Sequence, residues 1–253
     1  MIRAYLLVLG LVAAAPTLAP AQTADTIPEL PAGPPPASDH VIRWYHGAVA
    51  AGGISMLMLV DHPVQRYAMH NDGPGANGVA RAVRHFGQPE VYATLTAGLV
   101  ATGLITGNHG ITHSGTRLAL SLALAGAATE AGKFALGRPR PNQSLDADGY
   151  SPFSGQVSFP SGHTAMSFAL ATSLADDIHR PWATVGLYGM ATAVGWSRIN
   201  DNAHWLSDVA AGAIVGITSA KLASGRWRIF GLKAPSFITG PTGGMGLGWH
   251  SEF

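Results

Sequence analysis

Residues 161–175, SGHTAMSFALATSLA, decide the fold class of this chain. Pro160 and Ser161 precede an apolar, alanine-rich run without strand-like alternation, and this pattern predicts a helix with Ser161 as its N-cap. Comparable apolar stretches rich in Ala and Gly lie at 44–60, 91–107, 117–136, 181–197 and 204–222. Strand patterning is nearly absent between them, so the sequence predicts an all-α bundle of about six core helices.

The segments outside these stretches predict a simple organisation. Arg3 precedes the apolar run 4–15, and Ala19-Pro20-Ala21 has the small residues that a signal peptidase reads, so we expect residues 1–21 to be a signal peptide. Residues 22–40 are a Pro-rich tether, and 41–228 form the helical domain, in which the more polar part 61–90 predicts a short amphipathic helix. Residues 229–253 are a Gly/Pro-rich tail, for which short strands and an irregular wrap are both open.

Composition limits the chemistry and the partners. The 253 residues include no cysteine, which excludes disulfides, thiolate nucleophiles and Cys-ligated zinc. Charged residues make up 11% of the chain, against roughly 25% in an ordinary soluble domain. Loss of residues 1–21 would remove one of the 15 basic residues, leaving 14 basic and 14 acidic side chains and no argument for nucleic acid.

The first of three motifs lies at the end of the stretch 117–136. It runs Lys133-Phe-Ala-Leu-Gly-Arg138-Pro-Arg140-Pro141, and its prolines force the chain out of the helix into a stiff, extended segment. Two or three cations then lie close together. Because Lys and Arg are favourable at any helix C-terminus, the motif alone leaves an anion site and a plain helix end both open.

The second motif, Ser158-Phe-Pro-Ser-Gly-His-Thr164, begins the quoted helix. The first backbone N–H groups of a helix lack an intrahelical partner, and Gly162 lets an anion approach them closely. His163 lies in the same turn, beside whatever binds there. Taken alone, the motif is explained as well by an ordinary Ser161 N-cap next to an exposed histidine.

The third motif is Ser197-Arg198, five residues, His204, three residues and Asp208. On a helix, His204 and Asp208 are neighbours on one face, and Asp208 can accept a hydrogen bond from one ring nitrogen of His204. The other nitrogen then keeps a lone pair with a fixed direction, as a nucleophilic histidine requires. A plain surface pair would have the same spacing.

Together the motifs resemble the type 2 phosphatidic acid phosphatase family, which shares its pocket with bacterial acid phosphatases and vanadium haloperoxidases. The family pattern of Lys, six residues and Arg-Pro fits 133–141, Pro-Ser-Gly-His fits 160–163, and Ser-Arg, five residues, His, three residues and Asp fits 197–208. No motif position is substituted. The resemblance implies a helical phosphatase domain with its phosphate pocket at one end of the bundle.

The resemblance also implies a role for each motif residue. His204 would attack phosphorus and become phosphohistidine, and Asp208 would orient it. His163 would protonate the leaving alkoxide and then activate water. The phosphate-binding groups would be Lys133, Arg140, Ser161, Gly162 and Arg198. Arg138 is an extra cation that either contacts substrate or flanks the pocket.

We expect neither a metal nor another cofactor, except for vanadate if the protein is a haloperoxidase. Three cations provide the charge that Mg²⁺ or Zn²⁺ often provides elsewhere, and the motifs contain no cluster with metal-ligand spacing. His109 and His113 have the spacing of a two-histidine metal face, but the Gly, Asn and Ser residues around them predict a loop.

Location and substrate depend on the membrane. Low charge favours membrane association, although the uncharged runs are mostly shorter than the ~20 residues of a spanning helix. Six spans after an exported N-terminus would place the Arg140 loop in the cytoplasm. Five spans from residue 91 onward would place it in the periplasm, with Lys221 and Arg226 inside.

We therefore expect an exported, periplasm-facing phosphatase, located in the inner membrane rather than free in the periplasm. Its substrates would be phosphate monoesters, either lipid phosphates or prenyl diphosphates, as for membrane-bound relatives in the family. Two alternatives remain open at this point: a soluble periplasmic acid phosphatase of broad specificity, and a vanadium-dependent haloperoxidase.

Overall fold

The computed structural model describes residues 40–230 and, for the backbone, two further strands at 236–239 and 245–248. The predicted signal peptide, 1–21, and all of the predicted tether except His40 lie outside the described residues. Parts of the predicted tail lie outside them as well.

The described residues are mostly helical, and the predicted all-α class is confirmed. The helices are α1 (Trp44–Met58), α2 (Asp61–His70), α3 (Pro74–Phe86), α4 (Pro89–Thr106), α5 (His109–Leu136), α6 (Gly162–Ile178), α7 (Pro181–Asn200) and α8 (Leu206–Ala223). The strands are β1 (His40–Ile42), β2 (Trp227–Ile229), β3 (Ser236–Thr239) and β4 (Met245–Gly248).

The structure differs from the predicted elements in three places. The region 61–90 holds two helices rather than one, because Pro74 occupies the first turn of α3 and starts a second helix. The loop predicted around His109 and His113 is wrong, since α5 already begins at His109 and Asn108 caps it by accepting the Ile111 N–H at 3.2 Å. The last helix begins at Leu206, so His204 precedes it.

Helix α6 lies at the centre of the bundle and packs against α5, α7 and α8, while α4 packs on α5 and α3 on α7. The contact between α6 and α8 depends on two glycines of α8 one turn apart. A Cβ on Gly212 would lie 2.5 Å from the Ser161 carbonyl oxygen, and one on Gly216 would collide with the Ala165 carbonyl oxygen. Small residues at this spacing let two helix backbones approach closely.

The apolar core lies between α4, α5 and α6. It consists of Tyr92, Leu118, Leu122, Ala125 and Ala169. The hydroxyl of Tyr92 is hydrogen-bonded to Ser167 Oγ at 2.8 Å, so the ring is buried without leaving its polar end unpaired. This core fixes α6, which carries the second motif, against the helix that carries the first.

The region after residue 226 contains short strands, one of the two alternatives that the sequence left open for the tail. Strand β2 pairs in parallel with β1, with His40 opposite Trp227 and Ile42 opposite Ile229. Strands β3 and β4 form an antiparallel pair. The β1–β2 pairing joins the two ends of the helical domain.

Candidate active site

The three motifs meet at one end of the bundle, where α5 and α7 end and α6 and α8 begin. Three hydrogen bonds of 3.0 Å connect each motif to the other two. Ser158 N donates to Arg138 O between the second and first motifs, and Ser161 N donates to Asp208 O between the second and third. Trp205 Nε1 donates to Pro139 O between the third and first. The motifs, which span residues 133–208 of the sequence, are therefore assembled into one site.

His163 lies among the predicted phosphate-binding cations, and their charges affect its pKa. Burial lowers the pKa of His163 most, and the charges of Arg198, His204, Arg140 and Lys133 act in the same direction, so that together they bring the pKa to about 4. A cationic imidazole is disfavoured there because cations face it in a partly desolvated place. His163 is therefore neutral at pH 7 when no anion neutralises these cations.

Both of these arginines have an N–H donor that pairs with no described residue. The Nε atoms of Arg140 and Arg198 are buried and make no hydrogen bond within the described part of the chain. An unpaired N–H on a buried guanidinium is unfavourable unless an anion or another acceptor pairs with it. The arrangement is suited to a phosphate oxygen.

Arg198 is held in place by an acid that the motif does not contain. Its Nη1 donates to Asp201 Oδ2 at 2.8 Å, and Arg84 of α3 donates to the same oxygen at 2.9 Å. Asp201 compensates only part of the charge of this arginine pair. The cluster of two arginines and one aspartate therefore keeps a net positive charge.

Lys133 lies beside the start of α6. A Cβ built on Gly162 would be 3.6 Å from Lys133 Nζ, so the ammonium group lies close to the first turn of α6. Glu130, one turn earlier on α5, accepts a hydrogen bond from Nζ at 2.6 Å. Glu130 is exposed, and an anion in the pocket would compete with it for the ammonium group.

The N-terminus of α6 presents free amides to the pocket. Ser161 is the N-cap residue as predicted, but its side chain accepts a hydrogen bond from Thr164 Oγ1 at 3.0 Å instead of capping the helix. The amides of residues 162–164 donate to no acceptor in the described part of the chain. The site therefore combines a helix N-terminus with three cationic side chains.

His204 and Asp208 are close together, as their spacing predicted, but the geometry differs from the expected hydrogen bond. His204 Nδ1 lies 3.6 Å from Asp208 Oδ2, too far for a hydrogen bond. The same Oδ2 already accepts from Ser158 Oγ at 2.5 Å and from the Trp205 amide at 2.9 Å. Burial lowers the pKa of His204, against the opposing effect of Asp208.

Arg138 does not face the phosphate pocket. It is fully buried behind Asp208 and donates to Asp208 Oδ1 and to Asp61 Oδ2, both at 2.6 Å. The rings of Tyr150 and Trp205 lie 5.4 and 5.5 Å from its guanidinium carbon. The structure thus places Arg138 behind Asp208, and its flanking role stays a prediction.

Sequence reasoning missed three residues of the site: Asp61, Arg84 and Asp201. Asp61 contacts Arg138 across 77 positions of sequence, and no local pattern connects two residues so far apart. Arg84 is likewise distant from Asp201 in sequence. Only Asp201 could have been found from a local pattern. It follows Arg198 by three residues at the end of α7, and this helix spacing brings the two side chains together.

No group of three or more His, Asp or Glu side chains in the described part of the chain is arranged to hold a metal ion. The cations and amides described above are donors for an anion rather than ligands for a metal. The pocket therefore has the chemistry of an anion site.

The fold and the site together define an all-α protein with an anion pocket that contains two histidines. Residues 114–228 match the sequence profile of the PAP2 superfamily. All of the site residues predicted from the motifs lie within this matched segment. The resemblance inferred from the motifs is confirmed.

The chain is similar to a Lipid A 1-phosphatase from Porphyromonas gingivalis. It is 44% identical over 111 residues, which are 43% of this chain and 22% of the relative. The similarity thus spans about a fifth of the length of the relative.

Two solved structures share the fold. LpxE of Aquifex aeolicus superposes with a TM-score of 0.52 at 23% identity, over 65% of this chain and 94% of that one. The first transmembrane PAP2 type phosphatidylglycerolphosphate phosphatase from Bacillus subtilis gives a TM-score of 0.56 at 20% identity, over 72% and 95% of the two chains.

Proposed function

We propose that the protein is a metal-independent phosphatase that removes phosphate from a phosphorylated lipid through a phosphohistidine on His204. One observation carries the proposal: His204 lies beside a buried carboxylate in a pocket with three cationic side chains and a free helix N-terminus. A phosphate monoester brings up to two negative charges, and these groups match that charge without a metal.

In the first step, Nε2 of His204 attacks phosphorus while Nδ1 faces Asp208. The bond between phosphorus and the ester oxygen breaks, and this oxygen takes a proton from His163. Lys133, Arg140 and Arg198 stabilise the charge on the phosphate oxygens. The products are the free alcohol and phosphorylated His204.

In the second step, His163, now neutral, takes a proton from a water molecule that attacks phosphorus. The bond between phosphorus and Nε2 breaks and inorganic phosphate leaves. His163 must be protonated at the start of the cycle, although its pKa in the ligand-free protein is about 4. A bound phosphate dianion neutralises the surrounding cations and thereby raises this pKa.

The names of the relatives support a lipid as the substrate class. A segment 44% identical over 111 residues belongs to a protein named Lipid A 1-phosphatase, and one structural relative is described as transmembrane. Large apolar side chains of this chain are exposed, including Ile105 at 85% and Trp182 at 73%. Such side chains are better accommodated by lipid than by water.

We therefore propose that the protein is associated with the inner membrane and that its pocket faces the periplasm. Among the described single helices, only α8 is long and apolar enough to cross a membrane. Helices α1 and α2 form a bent pair, which would be a second span if the two helices cross together. A buried core helix passes the same test. The predicted export signal supports the periplasmic side, and the number of spans stays a prediction.

The test is hydrolysis of phosphatidic acid in detergent and of an aryl phosphate, each in the presence of EDTA. The wild type should release phosphate from the lipid, and His204→Ala should reduce the rate by about 10³-fold or more. The matched control is His85→Ala, which removes an exposed histidine from α3 and should leave the rate unchanged.

Each other result contradicts a defined part of the proposal. Full activity of His204→Ala would exclude the nucleophile, and loss of activity in EDTA would exclude a metal-independent reaction. Hydrolysis of the aryl phosphate alone would indicate an acid phosphatase. Bromide oxidation that depends on added vanadate, without hydrolysis, would indicate a haloperoxidase.

A further inference from the structure

We propose that Asp61 and Arg138 are positioning residues that keep the carboxylate of Asp208 aligned and negatively charged toward His204. The inference rests on the proposed function, in which His204 carries the phosphoryl group. Asp61 begins α2, and Arg138 lies in the segment after α5. Neither residue is exposed, so neither can reach a substrate from the solvent side.

Arg138 uses its nitrogens for contacts inside the protein. Nε donates to the Ala147 carbonyl oxygen at 2.7 Å, and Nη1 donates to Ser207 Oγ at 2.7 Å as well as to Asp208. Nη2 donates to Asp61. A guanidinium with four of its five N–H donors engaged has a fixed orientation. Arg138 therefore fixes Oδ1 of Asp208, which leaves Oδ2 on the side of His204.

Asp61 completes this arrangement from another helix. Its Oδ1 accepts the Ser207 amide at 2.9 Å, and its Oδ2 accepts Ser207 Oγ at 2.5 Å in addition to Arg138. The Ser207 amide lies in the first turn of α8 and lacks an intrahelical partner, so it pairs with Asp61 at a helix end where a negative charge is favourable. Asp61 thus holds together Arg138 and the first turn of the helix that carries Asp208.

Asp61 also sets the net charge of the cluster behind Asp208. Arg138 alone would neutralise Asp208, and the carboxylate would have little net charge left to stabilise a cation on His204. With Asp61 present, the cluster of two aspartates and one arginine has a net charge of −1. When His204 is phosphorylated on Nε2 and has a proton on Nδ1, its imidazole ring is positively charged, and a buried negative charge beside Nδ1 lowers the energy of that state.

The other charged groups that face His204 act in the opposite direction. They are the cationic side chains of Arg140, after α5, and Arg198, on α7, while His163 on α6 is the second titratable group at the pocket. Asp208 is the acidic group nearest to the ring. The negative cluster behind Asp208 therefore determines how strongly the ring can hold a positive charge against two arginines.

The experiment compares Asp61→Asn with Ser207→Ala in the full-length protein. Both substitutions break hydrogen bonds of the cluster, but only the first removes charge. Asp61→Asn should lower kcat between about 10- and 100-fold, the loss typical of residues that hold a catalytic ligand in place. KM should change little, because the phosphate-binding cations are untouched. Asp72→Asn, at an exposed position after α2, is the control and should behave as the wild type.

The second readout is the pKa of the His204 ring, measured by NMR with labelled histidine and assigned with His204→Gln. Asp61→Asn should lower this pKa relative to the wild type, and Ser207→Ala should leave it nearly unchanged. An unchanged pKa in Asp61→Asn, or equal shifts in both variants, would overturn the proposal, because a purely structural role predicts no difference between them.

If Asp61→Asn does not fold, Asp61→Glu replaces it in the comparison. This variant keeps the charge and should keep the wild-type pKa of His204, and a fall in that pKa would overturn the proposal. The titration needs no turnover. If the wild type hydrolyses no phosphate ester, the proposed function fails, while the pKa of His204 in these variants still decides the positioning roles.

Discussion

His163 illustrates how one residue depends on the charge of its surroundings. The ring lies at the free N-terminus of α6, among Lys133, Arg140 and Arg198, and burial together with these cations lowers its pKa to about 4. An acid with so low a pKa is almost entirely deprotonated at pH 7. The proposed reaction therefore requires the substrate itself to bring the negative charge that makes His163 an acid.

This requirement predicts a ligand-dependent titration of His163. In the ligand-free protein its ring should titrate near pH 4, and saturating inorganic phosphate should raise the pKa because the dianion offsets the cations. Lys133→Met should raise the ligand-free pKa for the same reason. NMR of labelled histidine measures both values. A ring that titrates at the same pH with and without phosphate would show that the anion binds elsewhere.

At the scale of elements, the pocket depends on how closely α8 approaches α6. Gly212 faces the Ser161 carbonyl oxygen and Gly216 faces the next turn of α6. Ser161 N also donates to the Asp208 carbonyl oxygen, so the same contact sets the position of Asp208 relative to the second motif. A shift of α8 would move the His204 side of the pocket away from the helix N-terminus.

Gly212→Ala is therefore expected to destabilise the protein by about 1–3 kcal/mol, the usual cost of forcing an extra methyl group into a packed contact. Its activity should fall as well. The matched control is Gly189→Ala on α7, where a Cβ meets nothing within 4 Å. There the gain in helix propensity should stabilise the protein by up to about 1 kcal/mol. Thermal unfolding and phosphatase assays compare the two, and equal behaviour would contradict the role of the α6–α8 contact.

The elements also show how much the sequence alone could predict. The helical class, the Ser161 N-cap and the three motifs follow from local patterns, since caps, prolines and helix spacing act over a few residues. The start of α5 at His109 does not follow from the Gly, Asn and Ser residues around it, which are typical of a loop, although Asn108 is in fact the N-cap. The partnership of Asp61 with Arg138 could not be predicted, because it depends on packing between distant helices.

At the scale of the whole molecule, the site exists only when the bundle is assembled. Each motif taken alone has an ordinary explanation as a helix end or a surface pair. In the folded chain, the three are joined by hydrogen bonds at the end where α5 and α7 finish and α6 and α8 start. The anion pocket, the two histidines and the buried charge cluster behind Asp208 are therefore one unit, built from residues between Asp61 and Asp208.

The most direct test of this account is to trap the phosphorylated enzyme. The protein is mixed with a ³²P-labelled phosphate ester, quenched in alkali, which preserves phosphohistidine, and mapped by mass spectrometry. The account predicts label on His204 and no label in His204→Gln. With an aryl phosphate, whose leaving group needs no acid, it predicts longer-lived label in His163→Gln, because that variant lacks the base that activates water. Hydrolysis by His204→Gln at the wild-type rate, or label on another residue, would contradict it.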